Sequence, residues 1–253
     1  MSAAMHESIG ADTPALSIVI PVLNEAENVA PLTHEIVAAL GSSLPFEVVF
    51  VDDGSTDQTV AHVRDLQREI SRVRLLRHAA RCGQSAAIRT GVRAARAQWV
   101  VTLDGDGQND PRDIPLLMRV LHEDATNAVK LVTGIRRARR DSWMRRASSR
   151  VANTVRRLLL DDGTPDTGCG IKLFHRDTFL EIPAFDHMHR FLPALFQREG
   201  ARVVSIDVHH RPRVFGRSKY GVGNRLWVGI VDLFGVRWLM RRTSRVDAIE
   251  EPT

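Results

Sequence analysis

Short runs of β-branched and other apolar residues alternate with helical patterns along the first half of this 253-residue chain. The runs predict five strands, at Leu16–Val22, Phe46–Val51, Val73–Arg77, Gln98–Leu103 and Lys130–Thr133. The stretches between them repeat apolar residues at helical spacing, as in Ala26–Leu40 and Gly83–Arg96. Strands that alternate with helices form a mostly parallel sheet with helices on both faces. We therefore predict an α/β fold.

The second half of the chain is expected to extend this sheet and to end in a helix. Its elements are predicted as a helix at Ser142–Leu160, a strand at Ile171–Phe174, a helix near Asp177 and a strand at Arg202–Val208. The segment Arg225–Arg242 is apolar, with Trp227 and Trp238 near its ends and arginines flanking it, which is typical of an amphipathic helix. Such a helix could lie on an anionic membrane surface or pack on the sheet, and the sequence leaves both open.

Two acidic turns follow predicted strands. Asp52 and Asp53 come after the second strand, and Asp104 and Asp106 come after the fourth. Because the carboxyl ends of parallel strands share one edge of a sheet, both turns should face one crevice. Carboxylates gathered in this way repel each other unless a cation joins them. Oxygen ligands of this kind suit Mg²⁺ or Mn²⁺, so we predict a divalent metal site at this edge.

Other uses of the acidic turns can be compared with the sequence. An EF-hand loop that starts at Asp104 needs Gly at its sixth position and Glu at its twelfth, where Asn109 and Pro115 stand. A dinucleotide-binding fold needs a glycine-rich turn after the first strand, where residues 21–25 read Pro-Val-Leu-Asn-Glu. Both are excluded. For Ser55 and Asp57, capping of the next helix is an equally good interpretation.

Arginine carries most of the positive charge. Of the 35 basic residues three are lysines and 32 are arginines, and the formal net charge is +5. Codon usage can explain the total, but nine arginines lie between Arg136 and Arg157 with Asp141 as the only acid. Arginine forks bind phosphate and carboxylate groups. A nucleic-acid partner is disfavoured, because this segment offers only Trp143 for stacking and the acidic edge would be unexplained.

Five motifs occur in a fixed order and spacing, at Pro21–Glu25, Val51–Asp57, Asp104–Gln108, Asp166–Gly170 and Arg213–Lys219. Together they resemble family 2 glycosyltransferases, and the last two resemble the branch of dolichol-phosphate mannose synthase and the bacterial polyprenyl-phosphate sugar synthases. The resemblance implies the GT-A fold, a Rossmann-like, mostly parallel mixed sheet flanked by helices. It implies a catalytic domain at 15–215 and a C-terminal membrane-surface helix region at 216–242, with flexible ends at 1–14 and 243–253.

The resemblance also implies roles for individual residues. Contacts with the nucleotide sugar are implied for Pro21, Leu23, Glu25, Val51, Asp53, Asp104, Gly105, Asp106, Arg136, Arg213 and Lys219. Ligands to Mg²⁺ or Mn²⁺ are implied at Asp104, Asp106 and Gln108. The acceptor phosphate is expected at Arg145 and Ser149. Catalytic roles fall to Asp106, Arg136, Arg145 and Asp166, with Asp166 as the candidate base.

The expected activity is transfer of a sugar, with inversion, from a GDP- or UDP-sugar to a polyprenyl phosphate. An acceptor phosphate is largely ionised near neutral pH, since its second pKa is about 6, so this nucleophile hardly needs a general base. The alternative is transfer to a hydroxyl of a glycan or lipid in cell-envelope polysaccharide synthesis. A hydroxyl acceptor would need a true base, and the arginine-rich segment would lose its purpose.

Compartment and partners are inferred from what the sequence lacks. Cys82 and Cys169 are too few for a disulfide framework, and the N-terminal residues do not form a secretory signal. We expect a cytoplasmic protein that binds the inner face of the membrane peripherally. Whether it also binds a membrane partner protein or forms a homo-oligomer is left open by the sequence. Four histidines could suggest a zinc site, namely His187, His189, His209 and His210. Zinc is disfavoured because the aspartate-rich turns suit a harder ion.

Overall fold

The computed structural model describes residues 13–41, 43–136, 156, 159–213, 215 and 225–242. Its strands are β1 (Leu16–Val22), β2 (Phe46–Asp52), β3 (Val73–Arg77), β4 (Trp99–Thr102), β5 (Val129–Arg136), β6 (Lys172–His175) and β7 (Arg202–Val208). Its helices are α1 (Ala26–Leu40), α2 (Thr59–Glu69), α3 (Gln84–Ala94), α4 (Ile114–Glu123), α5 (Arg176–Glu181), α6 (Leu192–Arg198) and α7 (Arg225–Met240). Short 3-10 turns lie at Pro111–Asp113 and Met188–Arg190.

The strands form one sheet in the order β3-β2-β1-β4-β6-β5-β7. Strand β6 runs antiparallel to both of its neighbours, β4 and β5, and the remaining pairs are parallel. The prediction of a mostly parallel mixed sheet with flanking helices is therefore confirmed. Strands β1, β2 and β4 end at one edge of the sheet, and β6 begins at that edge because its direction is reversed.

Apolar side chains cover both faces of the sheet, as the continuous apolar runs predict for buried parallel strands. On one face Ile18 of β1 packs in a cluster with Val29 and Ile36 of α1. On the other face Val19 belongs to a cluster with Val92 of α3. Each such side chain contributes about 1.5–3 kcal/mol when it is fully buried. This two-sided core fixes the strand ends that carry the acidic turns.

Helix α6 is the main element that the sequence did not predict. Its residues Leu192 to Phe196 are all buried, so the segment has no polar face and no amphipathic period. Periodicity identifies helices that have one polar side, and it fails for a helix enclosed by the core.

The short strand β4 ends at Thr102, one residue before the predicted end, and a 3-10 turn at Pro111 precedes α4.

Three predicted regions lie wholly or mostly outside the described residues. They are the flexible ends at 1–14 and 243–253 and the helix at Ser142–Leu160, of which only Arg156, Leu159 and Leu160 are described. The C-terminal helix is present as α7, and Leu233 and Val236 on its inner side are buried in the core. Within the described part of the chain, no helix is both long and apolar enough to cross a membrane.

Candidate functional site

Asp104 follows β4 at the carboxyl edge of the sheet and is held on three sides. Its Oδ1 accepts a hydrogen bond from Nε2 of Gln84 at 3.0 Å, and its backbone N–H donates to Oδ1 of Asn109 at 2.9 Å. On the third side lies Gly170, where an added Cβ would clash with the Asp104 carboxylate. The absence of a side chain at Gly170 therefore leaves room for this carboxylate, and the hydrogen bond from Gln84 orients it.

The electrostatic surroundings of Asp104 favour a cation. Burial raises the pKa of Asp104 to about 6, and the neighbouring carboxylate of Asp106 adds to the rise. The charges of Lys172 and Arg136 act in the opposite direction. A carboxylate with a raised pKa beside a second carboxylate is a site that gains from a bound divalent ion.

Asp106 is tied to Arg213, which follows β7. Its Oδ1 accepts from the backbone N–H of Gln108 at 3.1 Å, and its Oδ2 accepts from Nη2 of Arg213 at 2.5 Å. Nη1 of the same guanidinium lies 3.8 Å from Oε1 of Glu25. The fold thus brings together three residues that the sequence assigned to the nucleotide sugar.

The turn between Asp104 and Gln108 is packed tightly against its neighbours. At Gly105 an added Cβ would lie 2.7 Å from Cγ1 of Val22 and 3.0 Å from the carbonyl oxygen of Pro21. Gln108 exchanges two hydrogen bonds with Arg211, from Nε2 to the arginine carbonyl at 3.4 Å and from the arginine N–H to its own carbonyl at 3.0 Å. The end of β1 and the segment after β7 therefore both support this turn.

Asp53 organises the loop that leads into α3. Its Oδ1 accepts from the N–H of Cys82 at 2.7 Å and lies 2.8 Å from Nδ1 of His78, and its Oδ2 accepts from the N–H of Gly83 at 2.8 Å. Its own N–H donates to the carbonyl of Val22 at 2.9 Å. The carboxylate predicted to contact the nucleotide is thus also the anchor of the loop that presents Gln84.

Two arrangements bear on the choice of metal. Among the described residues, Asp53, His78 and Cys82 form the one group of three or more metal-ligating types whose atoms lie within 4.8 Å of each other. The Asp53 and His78 side chains of this group already form hydrogen bonds, since Nε2 of His78 also contacts Oγ1 of Thr90 at 3.0 Å. Asp104 and Asp106 present the hard oxygen ligands that Mg²⁺ and Mn²⁺ prefer, so the donor set there fits such an ion.

Three of the four histidines that could suggest a zinc site each contact a different side chain. His187 pairs with Asp232 at 3.1 Å, His189 lies 2.7 Å from Oγ of Ser85, and His209 pairs with Asp113 at 2.7 Å. Each of the three is held by a separate partner. The interpretation of these side chains as structural agrees with their contacts.

Arg136 and Asp166 form a bidentate ion pair beside the acidic turn. Nε of the arginine lies 2.7 Å from Oδ2, and Nη2 lies 2.8 Å from Oδ1. The two side chains are largely buried, with 13% and 16% exposed. Both carboxylate oxygens accept hydrogen bonds in this pair. The predicted role of Asp166 as a base stays a prediction, and it would require the pair to open.

The remaining predicted residues have different positions. Pro21 is a half-buried residue between the buried Ile20 and Val22 of β1, and it is in register with Val51, whose side chain is fully buried in the core. Leu23 is half-buried after β1, and the buried Glu25 donates its N–H to Oγ1 of Thr59 at 2.8 Å. Three predicted residues lie outside the described residues, namely Arg145, Ser149 and Lys219.

Three residues of the site were not singled out from the sequence. Gln84 opens α3 at the same sheet edge as the acidic turns, a position that the strand order could have suggested. Asn109 lies just beyond the recognised motif. Lys172 begins β6. It could have been singled out because it is one of three lysines in an arginine-rich chain.

Comparison with known proteins shows the family of the chain. The sequence profile described as "Glycosyl transferase family 2" matches residues 17–182. Dodecaprenyl-phosphate galacturonate synthase of Rhizobium johnstonii is 34% identical over 236 residues, which are 91% of this chain and 68% of that protein. Undecaprenyl-phosphate 4-deoxy-4-formamido-L-arabinose transferase of Edwardsiella ictaluri is 35% identical over 212 residues, 82% of this chain and 63% of that protein. The chain thus spans about two thirds of each of these relatives.

Solved structures share the fold. Glucosyl-3-phosphoglycerate synthase from Mycobacterium tuberculosis, in complex with Mn²⁺, UDP and glucosyl-3-phosphoglycerate, superposes with a TM-score of 0.63 at 17% identity. That match covers 90% of this chain and 77% of the other. The complex of the same enzyme with Mg²⁺ and UDP gives 0.61 at 20% identity, covering 79% and 73%. These likenesses confirm the predicted GT-A architecture.

Proposed function

The chain belongs to glycosyltransferase family 2, and from that premise we propose that it transfers a sugar from a nucleotide sugar to a polyprenyl phosphate. The observation that carries the proposal is the half-buried Asp104 and the buried Asp106 beside Arg136 and Arg213, at the sheet edge where ligands of such folds bind. The names of both relatives specify a polyprenyl-phosphate product or acceptor, which supports the choice of acceptor.

Asp104 and Asp106, with Gln108 beside them, are the residues that would hold Mg²⁺ or Mn²⁺. A divalent ion neutralises charge on the leaving diphosphate, which stabilises the transition state by several kcal/mol. The protein's own contribution is orientation, since Gln84 and Gly170 fix the Asp104 carboxylate before any ligand binds. Solved relatives of this fold contain Mn²⁺ or Mg²⁺ together with UDP, which supports an ion at this place.

Arg213 is the residue that we expect to exchange partners when the donor binds. In the structure its guanidinium lies between Asp106 and Glu25. A guanidinium fork binds phosphate oxygens bidentately, so a diphosphate at this edge would compete for the same donors. We propose that Arg213 turns from the two carboxylates to the diphosphate, which would leave the Asp106 carboxylate available to hold the ion.

The acceptor is proposed to be a phosphate because the site holds its best candidate base in an ion pair. An acceptor phosphate oxygen is already ionised near neutral pH. It can attack the anomeric carbon directly, while the bond from that carbon to the diphosphate breaks and the nucleoside diphosphate leaves. Asp166 then has no proton to remove, which agrees with its bidentate pairing to Arg136. Transfer to a hydroxyl would instead require Asp166 to leave Arg136 and act as a base.

Helix α7 supports a place at the membrane surface. Its outer side exposes Ile230, Phe234 and Trp238, which are 37%, 59% and 58% exposed and follow each other at four-residue intervals. Arg241 and Arg242 extend this apolar stripe with positive charge, and the Arg242 guanidinium lies 5.6 Å from the ring centroid of Trp238. Apolar and cationic side chains in this order suit an anionic leaflet. We propose peripheral binding at the cytoplasmic face.

The decisive experiment compares two acceptors that differ only in the phosphate. The purified protein is incubated with Mg²⁺ or Mn²⁺, a panel of GDP- and UDP-sugars, and either undecaprenyl phosphate or undecaprenol. We expect a lipid-linked sugar phosphate with the phosphorylated acceptor alone. Equal or preferential transfer to undecaprenol would refute the proposal and support the hydroxyl-acceptor alternative.

A further inference from the structure

Lys172 is a buried cation for which the proposed mechanism has no role so far. It begins β6, its residue is 4% exposed, and it is one of only three lysines among 35 basic residues. Its Nζ donates a hydrogen bond to the carbonyl oxygen of Cys169. Burying an ammonium group is costly unless nearby groups compensate for it, so this position calls for an explanation.

The register of the sheet places Lys172 beside the end of β4, where the acidic turn begins. Lys172 pairs with Thr102 of β4 on one side and with Thr133 of β5 on the other, so the three side chains lie in one row on one face. Asp104 follows Thr102 by two residues, and the charge of Lys172 is close enough to lower the pKa of Asp104. The pKa of Lys172 is lowered by burial, while the charges of Asp104 and Asp166 act to raise it.

The charges around the Asp104–Asp106 turn are net negative, and they would be more so without this residue. Four carboxylates lie around this turn, on Glu25, Asp104, Asp106 and Asp166, and three cations face them, on Arg136, Arg213 and Lys172. The two arginines are each engaged in ion pairs with these carboxylates. Within the described part of the chain, Lys172 alone of the three cations donates to a backbone carbonyl and forms no ion pair.

A nucleotide sugar brings a diphosphate to an edge that already holds these four carboxylates. Anionic ligands are repelled by such a surface in proportion to its net negative charge, and buried charges are poorly screened by salt. A positive charge that is not neutralised by a partner lowers this repulsion. The same charge opposes binding of a bare divalent cation, so its two effects have opposite signs.

We propose that Lys172 is a positioning residue that supplies the fixed countercharge through which this acidic edge accepts an anionic donor. The inference rests on the proposed function, because it presumes a nucleoside diphosphate at the Asp104–Asp106 turn. Lysine suits this role better than arginine in a closed space, because its ammonium has three donors to satisfy and a guanidinium has five.

The test separates charge from structure. Lys172→Gln removes the charge but keeps a donor for the Cys169 carbonyl, Lys172→Met removes both, and Lys172→Arg keeps the charge. Binding of UDP and GDP without metal is measured by calorimetry, binding of Mn²⁺ alone by the loss of its free-ion magnetic resonance signal, and folding by thermal unfolding. The matched control is Lys130→Met, at a lysine near the start of β5 and far from the end that carries Arg136.

We expect Lys172→Gln to weaken nucleoside diphosphate binding on the order of tenfold, as loss of one poorly screened charge predicts. Binding of Mn²⁺ alone should stay equal or become tighter, and Lys172→Arg should bind the nucleotide better than Lys172→Gln. Equal losses of nucleotide and Mn²⁺ binding in Lys172→Gln, or no change in either, would overturn the inference. If Lys172→Met fails to fold, Lys172→Gln decides alone. If the unaltered protein binds neither UDP nor GDP even when Mn²⁺ is added, the proposed function fails instead.

Discussion

Arg136 closes on Asp166 with two nearly parallel hydrogen bonds of 2.7 and 2.8 Å, across 30 positions of sequence. Two residues that the family resemblance assigned to different tasks are thus one unit in the fold. Bidentate pairs of this kind have a defined geometry and are stronger than neutral hydrogen bonds. The pair therefore predicts how each member behaves when it is changed.

Asp166→Asn should reduce turnover with a polyprenyl phosphate acceptor by less than about 10²-fold, because a base role would be worth about 10²–10⁴-fold. The amide keeps the shape of the side chain but weakens the hold on Arg136. Steady-state kinetics over a range of pH checks this. A loss beyond 10³-fold, with disappearance of the low-pH limb of the rate profile, would assign Asp166 as the base.

Asp106→Ala should abolish transfer and Mn²⁺ binding while the fold persists, because it removes a metal ligand and the partner of Arg213. We expect a fall in turnover of at least about 10²-fold. Activity, Mn²⁺ titration and circular dichroism are measured together. Asp177→Asn, at a carboxylate that is 65% exposed on α5, is the matched control. Near-normal turnover of Asp106→Ala would remove the metal assignment.

Gly170→Ala should displace the Asp104 carboxylate, since the new methyl group would occupy its position. Overpacking of this kind costs about 1–3 kcal/mol of unfolding free energy. Displacing the ligand should also weaken Mn²⁺ binding by about tenfold or more. Gly235→Ala is the control, since nothing lies within 4 Å of an added Cβ there, and it should leave stability equal or raised. Urea unfolding and Mn²⁺ titration of both variants decide the matter.

The raised pKa of Asp104 predicts an unusual pH dependence of the metal-free protein. Its value of about 6 exceeds the ordinary 3.8, so the folded state binds this proton more tightly than the unfolded chain does. The contribution of Asp104 to the free energy of unfolding therefore falls as pH rises from about 4 to about 6. Urea unfolding in a chelator should reveal this slope as the difference between the unaltered protein and Asp104→Asn. An identical pH profile for the two would contradict the raised pKa.

Phe234→Glu on the outer side of α7 should abolish flotation with anionic vesicles, because it places a charge in the apolar stripe. Binding of the unaltered protein should weaken as salt is raised, since Arg241 and Arg242 contribute electrostatically. Leu116→Glu is the matched control, at an exposed leucine of α4 that is 36% exposed. Flotation that is unaffected by Phe234→Glu but lost with Leu116→Glu would move the membrane-binding surface to another face.

The parallel part of the sheet could be predicted from sequence because its strands carry their own signal. The strand Leu16–Val22 is a continuous run of mostly apolar residues, and its bounds in the structure are those predicted. Once the strands are parallel, Asp53 and Asp104 must meet at one edge, so the location of the site follows from the fold class.

The contacts within the site could not be predicted in this way. That Arg136 meets Asp166 depends on the reversed direction of β6, which no local pattern encodes. The burial of Lys172 depends on which face of β6 points toward the acidic turn, and a slip of one residue would reverse it. These details belong to tertiary packing, whereas strand and turn positions belong to local sequence.

The reversed strand β6 also has a consequence for how such chains can diversify. Arg136 ends β5 and Asp166 stands shortly before β6, so their ion pair joins the two residues that flank positions 137–165 of the sequence. The entropic cost of joining two points of a chain rises only slowly with the number of residues between them, so insertions between Arg136 and Asp166 should cost little stability. The sheet can thus keep the residues that we assign to the nucleotide sugar while the sequence between Arg136 and Asp166 is exchanged. A graft between relatives should therefore be joined at these two residues.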